Sequence, residues 1–157
     1  MDNNWNEFFV ELSEFISSKS KDRSTKVGAV IVGQNNEVLS VGYNGFPRKV
    51  PDDIEEYHQR PTKYLITEHA ERNAIYNAAR HGIRLEGTKI YLHFNPIPCA
   101  RCTRAIIQSG ITEVIGIDKE FSGVGSQWEE DLKRAKEMLN YAEIKITTIS
   151  APKGLDM

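Results

Sequence analysis

The stretch "TEHAERNAIYNAARHG", residues 67–82, predicts a helix over 68–80 whose first turn holds a histidine and a glutamate two apart, His69 and Glu71. Ala70, Ala74, Ile75, Ala78 and Ala79 fall on one side of that helix, and Gly82 is a natural stop. A strand, "TKIYLHF" (88–94), comes next. Then "NPIPCARCTRAIIQSG" (95–110) predicts a second helix over 98–109, begun by Cys99 and Cys102 and ended by Gly110. Two helix starts joined by one strand can converge on one point.

The remaining chain supplies the rest of a sheet. Trp5, Phe8, Phe9, Leu12, Phe15 and Ile16 recur at helical spacing, with Asn3 or Asn4 as a cap, and predict a helix over 5–16. "KVGAVIVG", the turn residues "QNNE" and "VLSVGYNG" predict a hairpin. Residues 46–65 carry three prolines and many charges without a period, and are expected to form a long loop. After a strand in "TEVIGI", the turn-rich "SGVGS" leads to a helix over 127–139 and a last strand in "EIKITTI". The order α-β-β-α-β-α-β-α-β implies an α/β fold with a mixed five-stranded sheet, helices on both faces, and parallel strands wherever a helix intervenes. Residues 1–150 are expected to form a single domain and 151–157 a loose tail.

Composition narrows the function. The 157 residues suffice for one well-cored domain. With 39% hydrophobic and 27% charged residues the chain reads as a soluble globular protein. No apolar run approaches the roughly 20 residues of a membrane span. The segment "MDNNWNEFFVELSEF" is acidic where a secretory signal would be basic, so a cytoplasmic location is expected. A formal charge of -2 gives no global basic surface, which favours a small-molecule substrate over duplex nucleic acid. Neither "GYNG" nor "GVG" is long enough for a nucleotide-binding fingerprint.

The chain's two cysteines, in a C-x-x-C arrangement, are too few for a disulfide framework and read as metal-binding or redox-active. The histidine tips that choice. Zinc takes thiolate and imidazole ligands, and a catalytic zinc keeps three protein ligands and an open position. His69, Cys99 and Cys102 supply such a set. The positive end of the helix helps hold the cysteines as thiolates, and Pro98 suits a helix N-terminus. Glu71 then lies close to the ion without having to ligate it, where a carboxylate can accept and pass on a proton. A structural zinc would want a fourth protein ligand, and His58, His81 and His93 lack an obvious ligand spacing.

The pairing of "HAE" (69–71) with "PCARC" (98–102) resembles the zinc-dependent cytidine deaminase superfamily. Within it, "SKDRSTKVGAVIV", "SVGYNGFPRKVPDD" and "HAERNAIYNAARHG" look like the deoxycytidylate (dCMP) deaminases, with "GYNGFP" the discriminating stretch. The resemblance implies a three-layer α/β/α fold with one catalytic zinc per subunit, and hydrolysis of dCMP to dUMP and ammonia. It also implies a homo-oligomer. Three features depart from the family pattern: no cysteine remains for a second, structural zinc; "LHFNPIPC" puts His93 where a small hydroxyl residue is common; and Arg72 replaces an apolar residue.

The same resemblance assigns further roles. The Ala70 backbone would meet the base carbonyl, and the carbonyl near Pro98 would accept from the amine. Asn44 would bind sugar or base, although a turn-forming asparagine is an equal reading. Arg23, Lys26, Arg48 and Lys49 flank the substrate-like loops; Arg23, Lys26 and Arg48 are the candidates to bind a phosphate. Arg80 matches an arginine tied to dCTP and dTTP control in a phage enzyme, and equally suits the negative end of a helix. Two other functions stay open: a related deaminase acting on a purine nucleotide or tRNA adenosine, and a noncatalytic zinc-stabilised binding module.

Overall fold

The computed structural model describes residues 4–119 and 126–153. The first strand, β1 (Gly28–Val32), is apolar and buried along its whole length. Such a strand needs cover on both faces, and the helices divide accordingly. Val30 and Val32 point with Tyr91, Ile115 and Ile117 toward Phe9 and Val10 of α1 (Trp5–Ser17). Ala29 and Ile31 point the other way, with Ile90, Leu92 and Val114, toward Ala74 and Ala78 of α3 (Ala70–Arg80) and Ile106 of α4 (Ala100–Ser109). Leu139 of α5 (Ser126–Tyr141) joins that second cluster. This is the expected three-layer α/β/α arrangement, with one helix on one face and three on the other.

The sheet has five strands in the order β2-β1-β3-β4-β5, where β2 is Val38–Tyr43, β3 Lys89–Leu92, β4 Glu113–Ile117 and β5 Lys145–Ile149. β1 runs antiparallel to both β2 and β3, while β3, β4 and β5 are mutually parallel. The expectation for strands split by a helix holds with one refinement: β2 and β3, joined through α3, point the same way, but β1 lies between them. No helix among the described residues is long and apolar enough to cross a membrane.

Helix α3 is laid tightly on the edge strand. The Asn73 and Asn77 side-chain amides donate to the carbonyls of Tyr43 and Val41, and the Ser40 hydroxyl donates to the Ala74 carbonyl at 2.6 Å. Gly42 permits this approach, since a Cβ there would lie 2.3 Å from the Ala74 nitrogen and 2.5 Å from the Ala70 oxygen.

Three expectations need correction. Residues 46–65 are not one irregular loop: they hold a 3-10 turn at Glu55–His58 and a short helix, α2 (Thr62–Ile66), whose few residues give no readable period. The helices expected from 68 and 98 begin at Ala70 and Ala100, because His69 and Cys99 take extended backbone angles as the residues before each helix. Of the tail expected from 151, Pro152 is buried. Residues 154–157, like 120–125 within and before "SGVGS", lie outside the described residues.

Candidate active site

Residues before a helix usually cap it with an oxygen, as Asn4 caps α1 through the Glu7 N–H. His69 makes no such bond and turns its ring to the thiols instead. Its Nδ1 lies 3.5 Å from Cys99 Sγ and 3.4 Å from Cys102 Sγ. Cys99 caps α4 through its sulfur, which accepts from the Cys102 N–H at 3.4 Å. All three candidate ligand atoms fall within 4.8 Å of one another. A tetrahedral zinc with sulfur at about 2.3 Å and nitrogen at about 2.0 Å needs those atoms roughly 3.5 Å apart. The donor set fits the ion in both chemistry and spacing.

The protonation pattern explains why a dication suits this place. The Cys102 thiol beside Cys99 pulls the Cys99 pKa down to about 3; burial opposes this, and His69 adds to the lowering. Cys102 is pushed up, first by the Cys99 thiolate it serves, then by burial and by the Glu71 charge. The Cys99 contact also raises His69, against the effect of burial. Two thiolates and a carboxylate cannot coexist comfortably in a buried cluster without a balancing positive charge.

Glu71 is 8% exposed, and its Oε2 accepts from Cys102 Sγ at 3.3 Å. It lies one helical position beyond Ala70, the first residue of α3, whose amide is among those that an isolated helix leaves free. Pro98 is buried, and its carbonyl accepts from the Thr103 hydroxyl at 3.4 Å.

Residues 3–117 match the family described as the cytidine and deoxycytidylate deaminase zinc-binding region. The chain belongs to this family. The deaminase is 40% identical over 144 residues to an "Uncharacterized deaminase in luxG 3'region" of Aliivibrio fischeri, covering 91% of this chain and 92% of that one. It is 34% identical to the human deoxycytidylate deaminase over 74% of this chain, and spans 66% of the human protein's length. Among solved structures, the dCMP deaminase of cyanophage S-TIM5 in complex with dCMP and dUMP superposes with a TM-score of 0.73 at 22% identity, over 95% of this chain and 99% of that one. That likeness is one of fold. As a member of this family the deaminase is a zinc-dependent hydrolase whose ion His69, Cys99 and Cys102 are placed to hold.

A cavity of about 250 Å³ is lined by Asn44, Gly45, Phe46, Thr67 and several cations; it reaches to within two residues of His69 along the chain, at Thr67, but none of the three metal ligands lines it. Arg23 and Arg48 both line it, as does Lys49; Lys26 is exposed and does not. Arg23 pairs with Glu55, and Arg48 donates to the Asn77 side chain. Asn44 is largely spent on structure: its Oδ1 accepts from the Val27 N–H at 2.9 Å and its Nδ2 donates to the Thr25 carbonyl at 2.8 Å. Arg80 is exposed at the end of α3 and lines neither the cavity nor the metal cluster.

The structure also gives partners and surroundings that sequence reasoning did not foresee. Lys63 of α2 lines the cavity and pairs at 2.9 Å with Asp22, their side chains 12% and 7% exposed. Asp22 also accepts from the Ser24 and Thr25 N–H groups, and these bonds with Lys63 hold its carboxyl below the usual range against burial. The Thr67 hydroxyl, on the cavity wall, is buried without a hydrogen-bond partner. Buried His93 accepts from the Gly28 N–H at 3.0 Å. Lys63 lies in the segment read as a loop and pairs with Asp22 across 41 residues, so no local pattern signals the pair.

Proposed function

We propose that the deaminase hydrolyses dCMP to dUMP and ammonia, with Glu71 as the proton carrier. The observation that carries this reading is a buried carboxylate 3.3 Å from one metal-ligating sulfur. A noncatalytic zinc module has no need of an acid in that place. Bound by His69, Cys99 and Cys102, zinc supplies a Lewis acid that brings the pKa of water near neutrality. Glu71 takes one proton from the attacking water and gives it to the ring nitrogen next to the carbon under attack, then takes the second from the resulting hydroxyl and gives it to the departing amine. The carbon–nitrogen bond breaks, a carbonyl takes its place, and ammonia leaves.

Several features support a pyrimidine nucleotide as the substrate. The Ala70 N–H, at the positive end of α3, suits the base carbonyl, and the Pro98 carbonyl suits the amine. The cavity that has Thr67 on its wall, two residues before His69, is also lined by Arg23, Arg48, Lys49 and Lys63, which suits a phosphate. Named relatives of similar sequence act on deoxycytidylate. Asn44, on the cavity wall, serves by fixing the 25–27 backbone, with its second amide hydrogen left for the sugar. In this reading the enzyme is a cytoplasmic homo-oligomer, a state that sedimentation analysis would check.

The test is ammonia release from zinc-loaded protein offered dCMP, CMP, deoxycytidine, dCTP and purine nucleotides. Turnover of dCMP that Glu71→Ala abolishes, with zinc retained, is the expected result. Turnover of a purine alone would overturn the substrate, and full activity in Glu71→Ala would overturn the mechanism.

A further inference from the structure

Helix α4 carries two of the three metal ligands, so the placing of its first turn decides whether the sulfurs meet the imidazole. The Cys102 N–H to Cys99 Sγ bond, the Thr103 N–H to Cys99 carbonyl bond at 2.9 Å and the Thr103 hydroxyl to Pro98 bond are all local. They shape the turn, but they move with it. A bond from a distant part of the chain anchors it: Asp131, half-buried on α5, accepts the Ala100 N–H at 2.9 Å. Ala100 is the first residue of α4 and stands between the two cysteines, and its amide is one a helix leaves unpaired.

We propose that Asp131 is a positioning residue for the metal centre, its carboxylate holding the first turn of α4 where Cys99 and Cys102 meet His69. The inference rests on the zinc reading above, since it concerns the placing of the same ligands. Thirty-one residues separate donor and acceptor, and α4 and α5 pack directly together, so the bond fixes one helix start against another helix rather than against a loop. A charged acceptor makes a short, strong bond to a backbone amide, and groups that orient metal ligands set how firmly the ion is held.

The experiment measures zinc release to an excess of chelator from the parent enzyme, Asp131→Ala, Asp131→Asn and Leu139→Ala. The asparagine keeps an oxygen able to accept the same N–H. Leu139 is buried on α5, and its truncation loosens the helix without touching the Ala100 amide. Asp131→Ala should release zinc about 10- to 100-fold faster than the parent. Asp131→Asn should stay within a few-fold, and Leu139→Ala should lose thermal stability with its release rate unchanged. Release from Asp131→Ala at the parental rate, or equal acceleration in Leu139→Ala, overturns the proposal. If Asp131→Ala does not fold, amide hydrogen exchange in the parent decides: a protected Ala100 N–H is required, and exchange at the free rate overturns the tether. A parent that binds no zinc would refute the metal reading, whereas Ala100 protection tests the Asp131 bond separately.

Discussion

Acid should unfold this deaminase partly through one histidine that ligates nothing. His93 is 4% exposed, and its Nε2 accepts from the Gly28 N–H, a bond only the neutral ring can make. Burial, and next the charge of Lys119, lower its pKa from 6.5 to about 4. The folded value lies below the unfolded one, so as pH falls the unfolded chain takes up the proton first. The stability is whole above pH 6.5 and is lost as pH falls toward 4. At 1.36 kcal/mol per pH unit, the His93 contribution lost is about 2 kcal/mol by pH 5 and about 3 kcal/mol by pH 4. A His93→Gln variant provides the reference, because its amide oxygen can accept the same N–H but does not titrate. Urea unfolding of both proteins from pH 7.5 to 4, in the same zinc state, cancels the titration of the thiols and of every other carboxylate. The parent should lose stability faster than His93→Gln across that range, by the amounts given. Parallel curves would refute the reasoning, and with it the neutral, buried acceptor that links the start of β1 to the end of β3.

Gly42→Ala should push α3 off β2, since the new methyl meets backbone atoms of Ala70 and Ala74. A loss of about 1–3 kcal/mol in chemical denaturation is expected, with weaker zinc retention because His69 and Glu71 ride on that helix start. Asp22→Ala leaves Lys63 little exposed and unpaired and frees two turn amides, so it should cost about 3–5 kcal/mol. Adding Lys63→Met should recover part of that loss; no recovery in the double variant would show that the turn, not the ion pair, matters. Arg48→Ala should raise KM for dCMP by about tenfold while leaving deoxycytidine turnover unchanged, if the cavity rim holds the phosphate.

The parts of this fold legible in the sequence are those that local pattern encodes. The apolar run of β1 and the alanine stripe of α3 announced a sheet between helices. The pairing of H-x-E with C-x-x-C announced a metal because few other uses bring those residue types to two successive helix starts. What the sequence did not disclose depends on pairings across the chain. Asp22 finds Lys63 across 41 residues, His93 finds Gly28 across 65, and Asp131 finds Ala100 across 31. Each is a polar residue of ordinary kind in an ordinary local setting.

Those distant pairings have a common logic. The metal ligands come from helix starts, where backbone amides lack partners and side-chain caps are expected. Giving the cap positions to His69 and Cys99 sacrifices oxygen caps, and α4 makes up for it with a sulfur acceptor and an acid from another helix. Helix α3 makes up for it along its length, through Asn73, Asn77 and the close approach at Gly42. Asn77 is used twice: its amide holds α3 to Val41 while its oxygen receives Arg48. Arg80, one turn further on, touches none of this, so an effector role for it would need a contact outside the site. His93, where the chain departs from its family's pattern, is therefore informative about anchoring as well as substrate, because the Gly28 N–H that meets it comes from across the fold.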